Sequence, residues 1–327
     1  MNGNDSYDNQ FICKIKNILD KNPDKKYLRG FINYLGTKAS LSTKYDYLVY
    51  VLWFINYTKK DVCDLKYDDY TEYLSTLEQK TPSYQISIYS GLKRFSNYLF
   101  VSEKNTKDPM SMISRPDPTE KQSTIQKREK GYLSTSEIKK YIESVNNGCG
   151  SHRAKAYQNN WKDRDLLIIL LLINTGMRCS ALYKLDVDNI NIEDHSIVVT
   201  EKRGKVQVYN FPKDLDIYIY NWLNRRNEIL GSLDEVALFI SNQKRRMDQT
   251  SISKVVNKYA KVINGKNITP HKLRATYGTQ LYQKTKDVYF VQSCMGHSSP
   301  KTTELYIRGQ KETTRKEASE IISKIIF

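Results

Sequence analysis

The sequence predicts a mainly α protein of two domains, the first all-helical and the second α-rich with a small antiparallel sheet. Three observations carry this. The chain has 327 residues, which at roughly 150 residues per domain suggests two. Apolar residues recur at helical spacing through most of the chain, and alternation is confined to residues 196–211. The composition changes over residues 103–130, where three of the eight prolines fall and large apolar side chains are scarce.

Taken in order, residues 26–36 and 41–58 read as helices, with Leu48, Leu52 and Ile55 on one face. A shorter helix is expected over 66–79. Another runs over 83–101, with Ile88, Leu92, Phe95 and Leu99 in a row and Ser83, after Pro82, as its cap. The proline-bearing stretch that follows predicts a semi-extended linker, so the division is set at 1–115, a linker at 116–130, and 131–327. In the second domain Ser134 and Glu137 form a capping box for a helix over 134–147. Residues 148–160 read as a polar loop and 161–174 as a buried helix. Residues 196–201 and 205–211 alternate as strands about a turn at Lys202–Gly204. Helices are expected at about 213–230, 249–264, 270–284, 286–294, 300–308 and 312–326.

Charge and composition narrow the function. Lys and Arg number 52 against 36 Asp and Glu, a net charge of +16. Residues 1–115 carry +4 of it and the remainder +12, so both domains favour polyanions, of which nucleic acid is the commonest. A hydrophobic content of 39% supports real cores rather than disorder. The longest purely apolar run, Leu166–Ile173, is eight residues against the roughly 20 a membrane helix needs. The opening MNGNDSYDNQ has no apolar signal core, so no secretory signal is expected. The five cysteines are scattered, odd in number and without a CxxC pair; neither a disulfide scaffold nor structural zinc is expected, and a reducing cytoplasm fits.

Four strings carry candidate chemistry. In TGMRCSAL, Arg178 follows a buried helix and a glycine, where it either pairs with an acid or awaits an anion. In HKLR, His271 and Arg274 stand three apart on one helix, after Thr269 and Pro270, which are good helix-start residues; such a pair can grip phosphate oxygens. In MGHSS, His297 sits in a Gly-Ser turn, and Tyr306 follows nine residues later. His152 and His195 fall in loops and read as ordinary surface residues.

Together the strings resemble the tyrosine recombinase (phage integrase) family, of the two-domain Xer-like kind. LINTGMRCSAL looks like its first arginine box, TPHKLRATYGTQL like its His-x-Leu-Arg box, and MGHSSPKTTELYI like its Gly-His…Tyr signature. The turn TEKRGK resembles the one carrying its catalytic lysine, and YSGLKRFSNYLF is the best local match to its first domain. Ala181 stands where the family often has Glu, and Ala275 where His is frequent; both imply local packing changes.

The resemblance implies a SAM-like helical core-binding domain over 1–115 and a catalytic domain over 131–327 that ends in an exchange helix. It implies a site-specific DNA recombinase, of integrase or transposase type, that cuts and rejoins strands through a 3′-phosphotyrosyl intermediate. The implied catalytic set is Arg178, Lys202, His271, Arg274, His297 and the nucleophile Tyr306, with Lys205 in the same turn as the alternative to Lys202. No metal, nucleotide or other cofactor is implied. The implied partners are double-stranded DNA with an inverted-repeat core site and three further copies of the chain, in a homotetramer joined by C-terminal helix exchange. There is room for an accessory DNA-bending protein or a directionality factor, and none for a membrane. The implied location is cytoplasmic, nucleoid-associated when on DNA. Two alternatives share the sequence features: type IB topoisomerase-like strand passage, and a non-catalytic DNA-binding relative, which would be expected to lack one or more of the six residues.

Overall fold

The apolar rows of residues 26–101 close on one another as an all-helical unit. The computed structural model describes residues 4–117, 132–200, 206–263 and 267–296, and the chain divides into units of residues 1–122 and 123–327. Most of the expected linker, and the helices expected at 300–308 and 312–326, lie outside the described residues.

The first unit contains α1 (Asn4–Asp20), α2 (Lys26–Leu35), α3 (Leu41–Thr58), α4 (Tyr67–Ser75) and α5 (Pro82–Val101). Its core is aromatic. Phe31 and Phe95 meet edge to face at 5.3 Å, and Phe54 lies 4.5 Å from Tyr70 and 5.3 Å from Tyr73. The first helix was not expected from periodicity. Its apolar row is short, with Ile15 buried and Ile18 and Leu19 packed beside it, so its place depends on α3, where Phe11 meets Tyr45 at 5.8 Å. The cap of α5 is Thr81, not Ser83: the Thr81 hydroxyl accepts from the Tyr84 N–H at 3.4 Å, and Pro82 fills the first helical position. Proline has no N–H to satisfy there, so the capping side chain belongs before it. One face of α5 then holds the segment leaving the unit. Tyr89 donates to the Ile113 carbonyl at 2.7 Å, Lys93 donates to that of Met110, and Ser96 donates to Asp108.

The second unit is built round one helix. It contains α6 (Thr135–Asn147), α7 (His152–Asn159), α8 (Lys162–Thr175), α9 (Cys179–Leu182), β1 (Ile190–Asn191), β2 (Ser196–Thr200), β3 (Val206–Asn210), α10 (Asp216–Leu230), α11 (Gln249–Tyr259), α12 (Pro270–Thr285) and α13 (Val288–Met295). Residues Leu166–Leu172 of α8 are all buried, because α6, α10, α11 and α12 surround it. A helix buried on every side needs no polar face, which is why its sequence is a continuous apolar run. The capping box at Ser134 and Glu137 forms as expected. Residues 152–159, expected as loop, are helical instead: Ser151 caps them, accepting from the Ala154 N–H at 3.3 Å. Their mostly exposed side chains leave no apolar row to read.

The sheet is antiparallel in the order β1-β2-β3, with Ile197 opposite Tyr209 and Val199 opposite Gln207. Ile197, Val199 and Tyr209 are buried while Val198 and Val208 are exposed, the alternation that a half-covered sheet requires. The expected turn at Lys202–Gly204, between Thr200 and Val206, lies outside the described residues. Leu133, near the start of the described second unit, is gripped by α12. Its N–H donates to Thr276 Oγ1 at 2.9 Å, and its carbonyl accepts from Gln280 at 3.2 Å.

Candidate active site

The site is framed by the ends of two helices. Helix α8 stops at Thr175 because Gly176 adopts the left-handed conformation (φ 60°, ψ 17°). Helix α13 stops at Met295 because Gly296 does the same (φ 59°, ψ 40°). Side chains other than glycine rarely adopt that conformation. Each stop turns the chain abruptly, and Arg178 follows the first by two residues.

Arg274, in the second turn of α12, joins the two stops. It is 4% exposed. One guanidinium nitrogen donates to the Gly176 carbonyl and another to the Met295 carbonyl, the latter at 2.6 Å. Arg178 stands immediately before α9, and its guanidinium donates to the next carbonyl, Gly296, at 3.3 Å. These contacts are to neutral carbonyls, so they fix the guanidiniums while leaving their charge intact. The carbonyls they reach close the C-terminal ends of α8 and α13, where the helix dipole favours positive charge by about 0.3–1 kcal/mol in exposed cases and up to about 2 kcal/mol when partly buried. The sequence left Arg178 between an acid partner and an anion; the contact described is to a backbone carbonyl.

Thr269 caps α12, accepting from the Lys272 N–H at 3.3 Å, with Pro270 in the first position, as expected. His271 shares that helix with Arg274 but is exposed, while Arg274 is buried. Of the six site residues expected from sequence, the structure brings Arg178 and Arg274 together and places His271 one turn before Arg274. Lys202, Lys205, His297 and Tyr306 lie outside the described residues. Their flanks are described. Gln207 on β3 lies so near Gly296 that a Cβ there would stand 2.8 Å from its Oε1. The strand following the expected lysine turn therefore touches the glycine preceding His297.

Three further side chains support the frame and carry no signal in the sequence. Tyr277 packs its ring on Gly176. Burial, with Cys294 beside its hydroxyl adding to the effect, pushes the phenol up to about 12. Cys179, directly after Arg178, is likewise pushed up by burial to about 12, which leaves it an unreactive thiol at neutral pH. Ala181 is buried, in keeping with tight local packing. The helix-stopping role of Gly176 was legible in principle, since a glycine after the last apolar residue is a common helix end.

His195 is not the plain surface residue expected. It adopts a left-handed backbone (φ 47°) and is half-buried, with Nδ1 3.4 Å from Asp216. It belongs to the packing of β2 against α10, away from the arginine pair in sequence.

Residues 131–313 match the model of the phage integrase family. The chain belongs to that family. A tyrosine recombinase XerS of Streptococcus agalactiae serotype III (strain NEM316) is 38% identical over 176 residues, 53% of this chain and 49% of the relative. The chain thus spans about half the length of the first curated relatives it matches. A XerS of Streptococcus pneumoniae (strain CGSP14) is 29% identical over 290 residues, covering 88% of this chain and 76% of the relative. Among solved structures, a XerH site-specific recombinase bound to palindromic difH substrate in a post-cleavage complex shares the fold. Its TM-score is 0.66 at 22% identity, covering 86% of this chain and 80% of that one. A lambda integrase dimer bound to a COC′ core site gives 0.61 at 16%, covering 89% and 94%. The fold is therefore the mainly helical one of this family with its small antiparallel sheet. Among the described residues, no helix is long and apolar enough to cross a membrane.

Proposed function

We propose that this protein is a site-specific DNA recombinase that cuts and rejoins strands through a 3′-phosphotyrosyl intermediate. The observation that carries the proposal is the anchoring of Arg274 and Arg178 on the consecutive carbonyls of Met295 and Gly296, immediately before His297. Displacement at phosphorus builds charge on the equatorial oxygens, and donors fixed beforehand stabilise that charge without reorganising. In this proposal Arg178 and Arg274 hold those oxygens and His297 completes the cradle. Tyr306 attacks phosphorus through its phenolic oxygen, with His271 taking the proton. The bond from phosphorus to the 5′-oxygen breaks, and Lys202, or Lys205, protonates that leaving oxygen. The phosphotyrosyl ester retains the phosphodiester energy, so the reverse attack by a 5′-hydroxyl reseals the strand.

The proposed partner is double-stranded DNA with an inverted-repeat core site, held by four copies of the chain. Ile321, Ile322, Ile325, Ile326 and Phe327 would dock on a neighbouring copy. Phosphate contacts would dominate affinity, so binding should fall by about 10³–10⁵ between 50 and 200 mM salt for roughly 6–10 contacts. Selection from a random duplex library supplies the bound site, and a nicked duplex of that site traps the covalent step. The wild-type protein should give a protein–DNA band on a denaturing gel and Tyr306→Phe none. An undiminished band in the Phe variant removes Tyr306 from the role; intact binding with no band from the wild type leaves a DNA-binding protein without this chemistry.

A further inference from the structure

We infer that Tyr277 is a positioning residue, which sets the distance between the chain segments that lead into Arg178 and His297. The inference deepens the recombinase proposal and rests on it for its rate arm. Arg274 ties the end of α8 to the end of α13 through two hydrogen bonds, to Gly176 and Met295. Tyr277 spans the same two ends from three residues further along α12. Its ring covers Gly176 so closely that a Cβ on that glycine would stand 2.3 Å from Cδ1. Its hydroxyl lies beside the Cys294 side chain, one residue before Met295. The ring also belongs to the small apolar cluster of Tyr282, Val291 and Met295, with Leu281 and Val288, that packs α13 on α12.

The two contacts have different jobs. Gly176 has no side chain of its own, so the ring meets its backbone directly and limits how closely the α8 end approaches α12. The ring's place in the cluster with Val291 and Met295 sets how far α13 lies along it. Arg274 alone satisfies both carbonyls but tolerates shear, because a guanidinium can swing about its flexible stem. A rigid ring with two rotatable bonds removes that freedom. Arg178 lies two residues past Gly176 and His297 two residues past Met295, so any shear between the ends moves them relative to each other. The phenol is half-buried, and its burial holds the proton on, which makes it a spacer and not a rival nucleophile.

The test measures single-turnover cleavage of a nicked duplex at saturating protein, DNA affinity, thermal midpoint, and amide hydrogen exchange over residues 176–179 and 293–296. Tyr277→Phe keeps the ring and should hold cleavage within about threefold of the wild-type rate, less than the value of one hydrogen bond. Tyr277→Leu loses the flat ring and should slow it about 10²-fold, the cost of a misplacement of about 1 Å. DNA affinity should be unchanged in both, since phosphate contacts across the whole interface carry it. Tyr141→Phe is the control. It loses a buried hydrogen bond to the Val256 carbonyl in the same unit, so it should lower the thermal midpoint and cleave at the wild-type rate.

Either of two results overturns the inference: Tyr277→Leu cleaving at the wild-type rate, or slowing no more than Tyr141→Phe at equal loss of midpoint. If Tyr277→Leu does not fold, Tyr277→Met, which also lacks the ring, decides in its place. Exchange separates this inference from the parent proposal. Both segments should exchange faster in Tyr277→Leu even if the wild-type protein never forms an adduct, and unchanged exchange refutes the spacer role whatever the activity.

Discussion

The two units keep their shape by different means. Among the described residues, the first buries one charged side chain, Asp69, and fills its interior with Phe31, Phe54, Phe95, Tyr70 and Tyr73. The second buries Arg164, Arg226 and Arg274 as well as Asp165. Each of those arginines donates to a backbone carbonyl of a distant segment: Arg164 to Ile240, Arg226 to Ala237 and Glu235, Arg274 to Gly176 and Met295. An aromatic core is non-directional and tolerates small shifts, because its energy follows area. A guanidinium staple also selects which carbonyls meet, since each N–H needs an oxygen in line with it. The proposed chemistry, with two cations over one phosphate, would draw on the second kind of packing. Burial of an arginine is still no mark of function here, since Arg164 and Arg226 staple loops far from the site in sequence.

The contrast can be broken at Arg274. Replacing it with Ala should cut cleavage by about 10³-fold or more, as loss of fixed transition-state donors does elsewhere, and should also lower the thermal midpoint. Arg226→Ala should cost about 1–3 kcal/mol for each carbonyl it strands; in the folded fraction it should leave the single-turnover rate unchanged. Equal rate losses for the two would mean that both arginines serve packing alone. In the first unit Phe54→Ala should cost about 3–5 kcal/mol, read from the urea midpoint of the transition reporting that unit.

Smaller effects sharpen the comparison. Asp69 is the buried charge of the first unit. Burial alone would raise its carboxyl, but the Lys60 ammonium at 2.6 Å and the Lys66 N–H at 2.9 Å outweigh that and lower it. A carboxyl lowered on folding adds stability above its unfolded value of about 3.9. That stability is lost as the pH falls from there through the folded value. Urea midpoints of wild type and Asp69→Asn should therefore differ by a constant amount at neutral pH and converge in acid. Tyr70 gives the smallest effect. Its buried hydroxyl has no well-formed hydrogen bond, since Ser96 beside it donates to Asp108. Tyr70→Phe should change stability by less than about 1 kcal/mol, in either direction. A loss of several kcal/mol would place a polar network in a core that otherwise runs on aromatic area.

The sequence by itself determined the helical rows of α2 to α5, the all-round burial of α8, the capping box at Ser134 and Glu137, the start of α12 at Thr269 and Pro270, and the strand pair. Each is written in local periodicity or in residues within four positions of one another, where the chain's own geometry decides. It also determined, through the order of its motifs, the family to which the chain belongs. It did not show α1, whose apolar row is too short to read without α3, or α7, which has no apolar row. Only the tertiary structure decided that Arg274 would span two helix ends, that Tyr277 would cover Gly176, and that Gln207 would meet Gly296. Those contacts join residues 98, 101 and 89 positions apart in the chain. Their partners are a carbonyl and two glycines, groups that leave no side-chain pattern in a sequence, so nothing local could announce them.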